Sequence, residues 1–155
     1  KSLGNFPEAE KHFKEAISIE PMDPSSHFNL ASLYGNLGQF VQASREFDQA
    51  SALYKTTGKY PPRPFSSDKA RAHNQAGIEL IQSQKFEEAL IQFEKSIRQN
   101  SKLLSARFNL AKLLLEFKND PEKAKTHLQA GLALNPTPEQ IQTLRDLLKQ
   151  IEIKN

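Results

Sequence analysis

Histidine is the side chain most able to serve as a base or metal ligand near neutral pH. The chain has four, at His12, His27, His73 and His127. None belongs to an H-E-x-x-H helix motif, and neither G-x-x-x-x-G-K-[ST] nor G-x-S-x-G occurs. The acidic pair Glu87-Glu88 falls at a predicted helix start, where negative charge suits the helix dipole. There is no cysteine, so disulfides, thiolate metal sites and cysteine nucleophiles are excluded. Nothing in these residues supports catalysis, and no metal or cofactor is expected.

The elements that carry these residues repeat. NFPEAEKHFKEAISIEP (5–21), QFVQASREFDQASAL (39–53) and KFEEALIQFEKSI (85–97) share an aromatic, an alanine three residues on and a phenylalanine four beyond. The sets are Phe6/Ala9/Phe13, Phe40/Ala43/Phe47 and Phe86/Ala89/Phe93, followed by Ala16, Ala50 and Ser96. A looser copy holds Ala124, Leu128 and Gly131 and closes in Asn135-Pro136. The anchor alanines 9, 43, 89 and 124 are separated by 34, 46 and 35 residues, that is, one repeat, one repeat plus 12, and one repeat plus one. Upstream lie SSHFNLASLYGNLG, RAHNQAGIELIQSQ and SARFNLAKLLLEFK, and Phe-Asn-Leu-Ala occurs at both 28–31 and 108–111.

This pattern resembles the tetratricopeptide repeat, a helix–turn–helix unit of 34 residues with a W-x2-L-G-x2-Y…A-x3-F…P signature. The second repeat matches at Leu30, Ala31, Tyr34, Ala43, Phe47 and Ala50. The third matches at Gly77, Leu80, Ala89 and Phe93, and the fourth at Leu110, Ala111, Leu114, Ala124 and Pro136. The first supplies Ala9, Phe13, Ala16 and Pro21, all from its second helix. His27, His73 and Arg107 occupy the tryptophan position. The resemblance implies an all-α, right-handed α-solenoid with a C-terminal capping helix. Its divisions are a partial repeat (1–21), a repeat (22–55), an insertion or linker (56–68), two repeats (69–102 and 103–136) and the cap (137–153).

Apolar spacing supports helices at about 7–19, 24–37, 40–53, 68–83, 86–98, 102–117, 121–134 and 138–153. Start signals agree. Asp23-Pro24 places a cap before a first-turn proline, Ser101 precedes a helix, and Thr137-Pro138-Glu139-Gln140 has capping-box spacing. Within the repeat frame His27 and His73 share one position, and His12 and His127 share another. Each pair is therefore held a repeat apart and does not converge on one metal.

The segment YKTTGKYPPRPFSSD (54–68) reads as a 15-residue loop with three prolines. Such loops are uncommon in compact arrays. Two readings stand, a tolerated insertion and a lid or partner contact beside the groove. Its Pro-Pro-Arg-Pro run suits polyproline II. The first repeat lacks a first helix, which leaves the face of Phe6, Phe13 and Ile17 partly uncovered. Further repeats are expected before Lys1, and self-association through this edge is a corresponding expectation.

The resemblance also implies a concave groove lined by first helices. By register these positions are Ser25, Phe28, Asn29, Ser32, Gly35 and Asn36 in the second repeat. They are Arg71, Asn74, Gln75, Ile78, Ile81 and Gln82 in the third, and Ser105, Phe108, Asn109, Lys112, Leu115 and Glu116 in the fourth. Phe28, Asn29, Ser32, Asn36, Arg71, Asn74, Gln75, Ile78, Gln82, Phe108, Asn109 and Lys112 form the expected peptide site. Asn29, Gln75 and Asn109 share one position, and an amide row both donates to and accepts from a peptide backbone. The alternative is that these amides bond neighbouring helices. Chaperone-tail binders of this family clamp a terminal carboxylate. Asn29 and Arg71 match that set, but Gln75 stands where a basic residue is expected.

The implied function is a non-catalytic protein–protein interaction scaffold with a protein or peptide partner. The alternative is a substrate-positioning region of a larger enzyme or of a secretion or assembly machine. Nucleic-acid binding ranks third. The net charge is +3, and residues 54–69 carry four basic groups against one acidic, but both signs are interleaved elsewhere. No apolar run reaches the ~20 residues of a membrane helix, so no membrane insertion is expected. The chain reads as soluble, with the cytoplasm slightly favoured and the compartment otherwise open.

Overall fold

The computed structural model describes residues 5–59 and 65–154. Eight α-helices follow one another there: α1 (Phe6–Ile19), α2 (Pro24–Asn36), α3 (Phe40–Thr57), α4 (Ser66–Gln82), α5 (Phe86–Gln99), α6 (Leu104–Leu113), α7 (Pro121–Leu132) and α8 (Pro138–Lys154). No strand occurs among the described residues. Each helix packs on the next in chain order, as in a solenoid.

Local chemistry sets the helix ends. Asp23 accepts from the Ser26 amide at 3.0 Å, and Asp120 accepts from the Lys123 amide at 3.1 Å, each ahead of a first-turn proline. At α8 the expected capping box forms: Thr137 N–H donates to Gln140 Oε1 at 2.9 Å, and Gln140 N–H donates to Thr137 Oγ1 at 3.4 Å. Ser101 does not cap a helix. α6 starts later, behind Leu103, and the Ser101 carbonyl instead accepts from Arg107 Nε at 2.9 Å.

The first helices stop on left-handed residues, Gly38 (φ 74°), Gln84 (φ 59°) and Asn119 (φ 50°). After α2, Gln39 N–H bonds back five residues to the Tyr34 carbonyl. After α4, Lys85 N–H bonds back five residues to Leu80. After α6 the matching bond spans six, from Asp120 to Leu114, because Leu114–Lys118 is a π-helical turn. A π-turn holds one residue more than an α-turn. This is where the extra residue of the last 35-residue spacing goes.

The stretch 54–68 differs from its reading as a 15-residue loop. α3 continues to Thr57, and α4 already begins at Ser66. The cause is aromatic burial. Tyr54 and Phe65 are 7% and 8% exposed, with rings 5.9 Å apart. Phe65 packs edge-on to Phe28 at 5.4 Å and stacks on Phe47 at 5.8 Å. The Pro-Pro-Arg-Pro run (61–64) lies outside the described residues.

The buried residues form two clusters. The N-terminal one joins Phe28, Leu30, Tyr34, Phe47, Tyr54 and Phe65, with Phe13 and Ile17 of α1 packed against it. The C-terminal one joins Leu80, Phe93, Leu110, Leu128, Leu144 and Ile151. At the start of the chain Phe6, Ile19 and Met22 remain exposed. No helix among the described residues is long and apolar enough to cross a membrane.

Candidate functional site

The first helices of successive units, α2, α4 and α6, make up one row. Asn109 Nδ2 on α6 donates to Asn74 Oδ1 on α4 at 3.0 Å. Between α2 and α4 the row opens into a cleft of about 340 Å³. Ser32, Gly35 and Asn36 line it from α2, and Asp68, Arg71, Ala72 and Gln75 line it from α4. Phe40 and Phe47 of α3 contribute aromatic surface.

Four expected site residues therefore meet at one place: Ser32, Asn36, Arg71 and Gln75. Asn36, Arg71 and Gln75 are exposed. Arg71 Nη2 donates to Asp68 Oδ1 at 2.6 Å, so the cleft carries one cation and one anion already in contact. Ser32 Oγ donates to the Phe28 carbonyl at 3.0 Å, turned toward its own helix.

The other expected residues sit elsewhere. Asn29 is exposed. Phe28, expected in the groove, is buried in the aromatic core, with the rings of Phe47 and Phe65 at 5.9 and 5.4 Å. Asn74 is buried, and its bond with Asn109 spends amide capacity between helices. Ile78 packs against the C-terminal core, while Gln82 is exposed. Lys112 faces Glu116 of the following turn at 3.9 Å. Phe108 lines a smaller cleft of about 200 Å³ against Gln140, Thr143 and Leu144 of α8.

The histidines do not gather. His12 is exposed between Glu8 and Glu15. His27 Nδ1 pairs with Glu46 at 2.7 Å, and His73 Nδ1 pairs with Gln92 at the same distance, each across 19 residues. The tryptophan position thus holds an imidazole that bonds the unit's second helix. The shared offset in sequence is the signal for this pairing. His127 is partly buried and its Nδ1 has no partner. Burial lowers its pKa, helped by Arg107 and opposed by Glu94. Among the described residues, no three of His, Cys, Asp and Glu are placed to hold a metal ion.

Position alone did not reveal the main polar junction. Asp48 of α3 meets Lys69 Nζ at 2.8 Å, Lys95 Nζ at 2.7 Å and His73 Nε2 at 3.2 Å. Burial pushes its pKa up, but the hydrogen bonds from His73, Lys69 and Lys95 outweigh that. The carboxyl is held well below the usual carboxylate range.

Comparison with known proteins agrees with this architecture. Repeat models described as TPR repeat or tetratricopeptide repeat match residues 1–38, 24–60 and 80–148. A curated relative, the Hsp70-Hsp90 organising protein of Plasmodium falciparum (isolate 3D7), is 27% identical over 134 residues. That match covers 81% of this chain and spans 22% of the relative's length. Among solved structures, MamA aligns with TM-score 0.57 at 16% identity, over 96% of this chain and 85% of that one. Cut9 with Hcn1, from the APC/C, aligns with TM-score 0.52 at 21% identity, over 96% of this chain and 27% of that one. These two likenesses bear on the fold alone. The matched repeat models, the successive helix pairs and the motif residues packed between them place this chain in the tetratricopeptide repeat family.

Proposed function

We propose that the chain is a non-catalytic scaffold that holds an extended peptide or protein segment along the row of α2, α4 and α6. The observation that carries this reading is the α2–α4 cleft, where Ser32, Asn36, Arg71 and Gln75 ring an apolar floor. Exposed amides at Asn29, Asn36 and Gln75 both donate to and accept from a peptide backbone, whatever its side chains. The curated relative is named for organising Hsp70 and Hsp90, which supports a protein partner here. A chaperone-tail clamp is not the form proposed. Gln75 brings no charge, and Arg71 is already engaged by Asp68.

The test is affinity capture from source-cell lysate with the parent chain and with Asn29→Ala/Gln75→Ala. Partners captured by the parent and lost by the variant, at unchanged helical content, support the groove. An identical partner set from both overturns it.

A further inference from the structure

Gly77 sits within α4, and Gly35 and Gly131 in the last turns of α2 and α7. Two have a packing reason. A Cβ on Gly77 would lie 2.5 Å from the Phe93 ring, and one on Gly131 would lie 2.9 Å from Leu104 Cδ1. Gly35 has none, because nothing lies within 4 Å of the position its Cβ would take. The space beside it is the α2–α4 cleft.

The neighbouring repeat shows what a filled version looks like. Ser32 and Gly35 correspond, 46 residues on, to Ile78 and Ile81. Both isoleucines pack against the C-terminal core. At these two positions one repeat carries aliphatic side chains packed on the core, while the other carries Ser32 and Gly35 beside an open cleft. At about 340 Å³, this cleft is at the low end of the ~300–1,000 Å³ of small-ligand pockets. It has room for a single large side chain with its flanking backbone. Its charges are already matched, Arg71 against Asp68 at 2.6 Å, while Asn36 and Gln75 offer neutral amides.

We infer that Gly35 and Ser32 are specificity-determining residues. They keep a pit open for one large, uncharged apolar side chain of the bound segment, while Asn36 and Gln75 bond the peptide groups on either side. This rests on the groove reading above and names the chemistry of its occupant. A neutral rim fits a neutral segment, since Asp68 beside Arg71 offsets the attraction an acidic one would feel.

A random dodecapeptide library displayed on phage, selected on the whole chain, tests this. The expected peptides carry one large apolar residue among uncharged neighbours, and their affinity changes little from low to high salt. Their affinity falls stepwise through Gly35→Ala, Gly35→Val and Gly35→Ile, by about tenfold or more at isoleucine, with helical content undiminished. Peptides lost with Asn29→Ala/Gln75→Ala but indifferent to the Gly35 series would overturn the anchor and leave the groove standing. Acidic peptides with salt-sensitive binding would overturn the neutral occupant. A library that yields no binder would count against both.

Discussion

Asp48 fastens three helices through one carboxylate, with Lys69 and His73 on α4 and Lys95 on α5. Its pKa is depressed in the folded chain, against about 3.9 when unfolded. The stability it supplies is therefore present above about pH 4 and is lost as pH falls toward the folded value. Urea melts across an acid series should show declining stability below about pH 4, and Asp48→Asn should flatten that decline. The same variant should lose on the order of 2 kcal/mol at neutral pH, because it leaves the buried Lys69 ammonium without its carboxylate. Gln84 offers the opposite opportunity. It ends α4 in the left-handed region at φ 59°, which costs a non-glycine residue about 1–2 kcal/mol. Gln84→Gly should raise the urea midpoint, in line with Gly38 at the matching turn.

At the scale of elements, helix number, order and type were legible because the apolar period agreed with the capping signals at Asp23 and Thr137. The ends of α3 and α4 were not. Proline, glycine and charge in 54–68 read as loop chemistry, yet Tyr54 and Phe65 are drawn into the aromatic cluster and bring helical turns with them. Tertiary burial overrode local composition there. Phe65→Ala should cost about 3–5 kcal/mol in chemical denaturation, since its ring contacts Phe28, Phe47 and Tyr54. No loss of stability would return this residue to a detachable insertion. The π-turn at Leu114–Lys118 was half legible: the 35-residue spacing announced an extra residue, but nothing in the residue types located it. The turn also carries Phe117, whose ring meets Phe86 at 4.9 Å.

Across the molecule, α4 links the two buried clusters, packing on α3 and on α5. There Glu79 accepts from the Val41 amide at 3.1 Å, and Ser96 Oγ donates to the Ala70 carbonyl at 2.7 Å. The solenoid thus reads as two packed halves tied by polar contacts. The candidate site is the cleft between α2 and α4. Ser32, Asn36, Arg71 and Gln75, grouped by register, line one cleft, because position along a helix fixes its face. Register could not show that Asn74 and Asn109 bond each other, nor that Phe40 and Phe47 of the second helix reach the same space. Both depend on how neighbouring units approach. The most direct test of the groove is photo-crosslinking with benzoylphenylalanine placed at Gln75 in the cleft and, separately, at exposed Ile91 on α5. Partner protein joined through position 75 and absent at 91 is the predicted result. Crosslinks at 91 with none at 75 would contradict it.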